Sequence, residues 1–210
     1  TIMLAGLFAG VLFIGLVLGD WLYFVRLTPD AGRYGCGIAR SRDRFSRNSL
    51  SRLQAEVDAN GALTLPHGIA RYYPDLQQIV IRPQYHLFSM SFRTAWPLKG
   101  MIHLKNDDQA VETLCIKRIP WSSAIITLMW FLLVGIGTTG FIVTYGAQGG
   151  FSTLSGVLMG IGILGIGLLV LAFGIVTVIF SYRLENNRLG KVYEELKAVL
   201  DGTAKTVRRD

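Results

Sequence analysis

Cys36, Cys115, His67, His86 and His103 carry the thiol and imidazole groups on which nucleophilic, acid–base or metal chemistry in this 210-residue sequence would rest. A thiol nucleophile needs a base within reach. A zinc site needs Cys and His at short, paired spacings. Here the two cysteines stand 79 positions apart, neither in a C-x-x-C arrangement, and successive histidines are 19 and 17 positions apart. Residues 34–37 read YGCG, a glycine spacing suggestive of a phosphate loop, but no Walker lysine and no strand–GxGxxG–helix context accompanies it. These patterns predict no catalytic residue, no metal ligand set and no bound cofactor, and the chain reads as a non-enzyme.

Charge is the stronger signal. Arg26, Arg33, Arg40, Arg42, Arg44, Arg47 and Arg52 fall within 27 positions, with hydroxyl side chains between several of them. Such a cluster suits phosphate groups or an acidic protein. Only Tyr34 and Phe45 could stack on bases, and no nucleic-acid-binding signature follows, so nucleic acid is not an expected partner. Juxtamembrane arginines do lie against anionic headgroups, each contributing about 1 kcal/mol near the surface, and they also enforce topology.

The elements that would position these residues begin with three long apolar runs, at 2–25, 121–145 and 151–181, in a chain of mean hydropathy +0.42. Each exceeds the roughly 20 residues that cross a hydrocarbon core, and Asp20 is the one ionisable side chain within them. The first run lacks a basic n-region and a small-x-small cleavage site, which predicts a retained helix rather than a removed signal. Residues 26–120 carry 14 Lys/Arg against 8 Asp/Glu, residues 182–210 carry 7 against 5, and the GAQGG connection carries none. The positive-inside rule then puts the N-terminus outside and both basic regions in the cytoplasm of a bacterial inner membrane. That compartment disfavours a Cys36–Cys115 disulfide. Trp21 and Tyr23, Trp121, Tyr145 and Tyr182 are expected as interfacial anchors at the ends of the spans.

The fold expected is an integral membrane α-helical protein with three transmembrane helices and a small cytoplasmic, mainly antiparallel β domain between helices 1 and 2. Its organisation is a helix at 1–25, a basic juxtamembrane segment at 26–57, a β-rich domain at 58–120, helices at 121–145 and 151–181, and an amphipathic helix and tail at 182–210. Leu50, Leu53 and Val57 suggest a short helix within 40–57. DANGAL is a turn, and QQIVIRP, HLFSMSFRTAW, GMIHLK and AVETLCIKRI read as strands of a four- or five-stranded sheet. Phe88, Met90 and Phe92 alternate with polar residues, and KNDDQ reads as a hairpin turn. In the tail, Leu189, Val192, Tyr193, Leu196, Val199 and Leu200 share one helical face, and Gly202 is placed to stop it.

Glycine patterning completes the reading. Gly6 and Gly10, Gly15 and Gly19, and Gly156 and Gly160 are small-xxx-small pairs, and Thr153, Gly160, Gly167, Gly174 and Ser181 recur every seven residues. Small residues at these intervals let helix backbones approach closely. The spans contain no His, Lys, Arg or Glu, which argues against ion pathways, proton relays and His-ligated haem. The expectation is a non-catalytic accessory subunit of a multi-subunit respiratory or photosynthetic membrane complex, with other membrane subunits and anionic lipids as partners. The alternative is a stand-alone anchored protein whose basic β domain binds anionic lipid or a partner peptide.

Overall fold

The computed structural model describes residues 2–84, 94–106 and 110–203. The chain begins as helix α1 (Ile2–Phe24), then makes a short helix α2 (Pro29–Arg33). Thr28 stops one and starts the other: its hydroxyl accepts from Ala31 N at 3.3 Å, and Pro29 supplies a preset φ at the first helical position. Strand β1 (Cys36–Ser46), helix α3 (Ser49–Glu56) and strands β2 (Ala62–Thr64), β3 (Gly68–Tyr73), β4 (Gln78–Pro83), β5 (Lys99–Asn106) and β6 (Ala110–Ile119) follow. Two long helices, α4 (Trp121–Ala147) and α5 (Leu154–Asp201), complete the order. Helices α1, α4 and α5 are each long and apolar enough to cross a membrane.

All six strands form one antiparallel sheet in the order β1-β6-β5-β4-β3-β2. Strands β2 to β6 run as a meander, and β1 returns to the free edge of β6. The turn before β2 is built by Asp58, whose Oδ1 accepts from Asn60 N and Ala62 N at 2.8 Å, and Gly61 takes a φ of 72° that other residues resist.

Three differences from the sequence reading have physical reasons. The sheet has six strands rather than four or five, because Arg40, Arg42 and Arg44 alternate along β1 and hide its period of two, and β2 is only three residues long. The segment 26–57 is not one juxtamembrane stretch: its central part, residues 36–46, is the longest strand, and the short helix is confined to 49–56. The third apolar run and the amphipathic tail helix are one 48-residue helix, since nothing between residues 154 and 201 breaks it before Gly202, with φ 73°, ends it. Phe88, Met90 and Phe92 lie outside the described residues, as does most of the KNDDQ turn.

The chain divides into two compact units, one of Thr1–Ser122 with Leu184–Asp210 and one of Ser123–Arg183. In the first, α5 covers one face of the sheet and α2 part of the other. One face carries Ile79, Ile81, Ile102, Val111 and Cys115, and there the C-terminal part of α5 buries Leu189, Val192, Leu196 and Leu200. Contact is close: a Cβ on Gly68 would meet Val192 at 2.5 Å. Tyr193 donates to Asp43 at 2.6 Å, and Lys117 to Asn186 at 2.6 Å. The other face holds Val80 and Met101, on which Gly32 of α2 sits. In the second unit, α4 and the first part of α5 pack through glycine.

Candidate functional site

The sheet meets the first and second long helices at one polar junction. Asp20, in the last turn of α1, accepts from the Tyr34 hydroxyl, from Ser122 N at 2.9 Å and from Ser122 Oγ at 2.5 Å. Helix α4 has no acid in its own first turn, so Asp20 supplies from α1 the anion that a helix N-terminus favours. The carboxylate pushes the Tyr34 phenol up to about 12 by accepting its proton in a hydrogen bond. One turn further along α1, Phe24 is fully buried. Lys99 Nζ lies 4.1 Å from the Phe24 ring centroid and donates to Phe24 O at 3.1 Å and to Ala31 O. Burial, then the Arg118 charge, brings this ammonium down to about 7.

The arginines are not gathered at this junction but spread over α2, β1, the turn after it and α3. Arg26 follows α1 and Arg33 ends α2, both exposed. Arg40, Arg42 and Arg44 alternate along β1 and pair in register with Ile116, Leu114 and Glu112 of β6, so all six share the face on which α2 sits. Arg44 bonds Glu112 at 3.0 Å. Arg47 stands exposed in the turn after β1, and Arg52 in α3 donates to Asp201 O at 2.7 Å. Two basic residues outside the arginine cluster of the sequence belong here too. Arg118 of β6 donates to Gly35 O at 2.8 Å, and His103 of β5 lies 3.4 Å from Gln78 Nε2. Both fall in strands read as core, and only the register places them beside the β1 arginines.

The thiols and the other imidazole do not converge. Cys36 pairs with Ile119, four positions along β6 from Cys115, a separation of about 13 Å. Both thiols are free. Burial raises the Cys115 thiol to about 11. His67 contacts Glu195 of α5, and His86 lies outside the described residues. Among the described residues no three His, Cys, Asp or Glu side chains gather as a metal site.

The glycines divide sharply. On α5, Gly156, Gly160, Gly167 and Gly174 are buried, and a Cβ there would collide with Gly150 O, Phe151, Thr138 and Trp130 respectively. On α1, a Cβ at Gly6, Gly10, Gly15 or Gly19 would meet nothing within 4 Å. Of the aromatics expected as anchors, Trp21 and Tyr23 lie in the last turn of α1, Tyr23 edge-on to Tyr34 at 4.9 Å. Trp121 opens α4, Tyr145 meets Phe151 edge-on at 5.3 Å, and Tyr182 lies within α5, half-buried. No family model, curated protein or solved structure matches the chain.

Proposed function

We propose that this chain is a non-catalytic accessory subunit of a multi-subunit complex in a bacterial inner membrane, of respiratory or photosynthetic type. Its three long helices cross the bilayer with the N-terminus outside, and the sheet unit braces the cytoplasmic side. One observation carries the reading: within its own unit, Phe24 is the one buried residue among those described in α1, and a Cβ at any of its four glycines would meet nothing within 4 Å. Interior glycine weakens a helix by about 1 kcal/mol per residue relative to alanine. On α5 the same cost is offset by contact with α4; on α1 the offset falls to a helix of another subunit. Lys99 ties the base of α1 to the sheet and Asp20 ties it to Tyr34 and Ser122, so a partner gripping α1 is coupled to the cytoplasmic unit.

The test is photo-crosslinking in native membranes from a reactive residue placed at Gly10. Attachment to a defined second polypeptide supports the reading; attachment to lipid alone ends it.

A second reading, an anchored protein that binds the anionic membrane surface, is favoured by the exposure of Arg26, Arg33, Arg40, Arg42 and Arg47. It needs no partner helix on α1, and the same crosslinking experiment separates the two.

A further inference from the structure

Register brings three arginines from separate elements to one half of the sheet. Arg40 of β1 pairs with Ile116 of β6, which pairs with Met101 of β5, and Met101 touches Gly32 beside Arg33. Arg118 is two positions from Ile116 on the same side of β6 and pairs with Lys99. His103, opposite Leu114, completes the set. Between these groups Ile116 and Leu114 form a half-exposed apolar floor.

Among the described residues of the strands, this face carries one acid: Glu112 of β6 is taken by Arg44, and Asp43 points to the opposite face, where Tyr193 and Lys197 hold it. Like charges gathered on one face repel. His103 is held below its ordinary range by burial and then by Arg33 and Arg118; Arg118 in turn is lowered by burial, opposed by Cys36, and lowered further by Arg40. Arg118 also keeps a buried Nε with no hydrogen-bond partner among the described residues. A planar guanidinium presents fixed donors that match phosphate oxygens, and an anion here would relieve the repulsion.

We propose that this face is a phosphate-binding site, with Arg33, Arg40 and Arg118 as its charged contacts, His103 as a further donor, and Ile116 and Leu114 as the floor for carbon attached to the phosphate. Arg118 is three residues before Trp121, the first residue of an apolar helix 27 residues long, which favours a phospholipid headgroup as the source over a soluble phosphate ester. That preference rests on the membrane-spanning reading of the helices; the anion site itself does not.

The experiment uses the full chain in a neutral detergent, with phosphatidylglycerol and phosphatidylcholine added in equal amounts and retained lipid counted by native mass spectrometry. The expected result is preferential retention of phosphatidylglycerol. Arg33→Gln and Arg40→Gln, both exposed positions, should each weaken it about five-fold, whereas Arg47→Gln and Lys191→Gln leave it unchanged. Retention that ignores Arg33→Gln and Arg40→Gln, or that falls equally with Arg47→Gln, overturns the site in favour of diffuse attraction. In a second arm, inorganic phosphate alone is titrated. Binding that is sensitive to Arg40→Gln and matched by no lipid preference keeps the site but assigns it to a soluble phosphate ester; no binding in either arm overturns it. Release of the wild-type chain from membranes by alkaline carbonate would sink the membrane-spanning reading separately.

Discussion

Lys99 Nζ donates to the carbonyl of Phe24 at 3.1 Å while resting 4.1 Å from the centre of that residue's ring. One amine therefore satisfies a carbonyl at the end of α1, where no helical partner remains, and ties the helix to the middle of the sheet. The cost is burial of a cation.

That cost sets a pH dependence. The folded ammonium is brought down to about 7 by burial and then by Arg118, against 10.5 for a free lysine. Between those values the unfolded chain holds the proton that the folded chain has released, so stability rises with pH across about 7 to 10. The neutral amine keeps two N–H groups for the Phe24 and Ala31 carbonyls. Thermal unfolding of the detergent-solubilised chain at pH 6.5, 8 and 9.5 should show the rise, and Lys99→Met should flatten it. A wild-type midpoint that falls over this range would contradict the assignment.

Asp20 holds Tyr34 and both donors of Ser122 at the start of α4. Asp20→Ala leaves these half-buried donors without their acceptor, a loss of about 1–2 kcal/mol. Tyr34→Phe removes one contact only and should cost less. Chemical denaturation of the two variants checks the order; equal losses would mean that the Ser122 contacts contribute nothing.

How much of this was readable in advance differs by element. The three apolar helices announce themselves because a bilayer-length run has no other common explanation, and β4, β5 and β6 show through their Ile and Val content. Strand β1 does not, since Arg40, Arg42 and Arg44 look like a topology signal until β6 pairs with them. Gly167 and Gly174 have a heptad spacing that any helix partner could use; that the partner is α4 depends on Thr138 and Trp130 lying opposite. The junction was hidden for another reason. Asp20 reads as a solvated residue near a helix end and Lys99 as an ordinary strand residue, and only long-range contacts, 102 positions for Asp20 to Ser122 and 75 for Lys99 to Phe24, reveal them.

The two thiols should separate in reactivity. Cys115 is 1% exposed and its thiol is raised to about 11 by burial, while Cys36 is only half-buried. The thiolate is the reactive form. At pH 8 a maleimide should label Cys36 and reach Cys115 only on unfolding. Equal labelling of both in the folded chain would place β6 at the surface and contradict the sheet order.

Packing of α4 on α5 predicts a contrast along one helix. Leucine at Gly167 or Gly174 meets Thr138 or Trp130 and should cost about 1–3 kcal/mol, whereas leucine at Gly162 or Gly165, which face open space, should be tolerated. Unfolding in mixed micelles with increasing sodium dodecyl sulfate reads the difference. Equal loss at all four positions would remove the specific role of the glycine row.

The central claim is that α1 packs on another subunit, and the most direct measurement is the size and composition of the particle released from native membranes by a mild detergent. The account predicts a large particle with defined partner polypeptides, which falls to the single chain when Gly6, Gly10, Gly15 and Gly19 are all replaced by leucine while the sheet unit stays folded. A wild-type particle of one chain, or a large particle indifferent to those four substitutions, would contradict it.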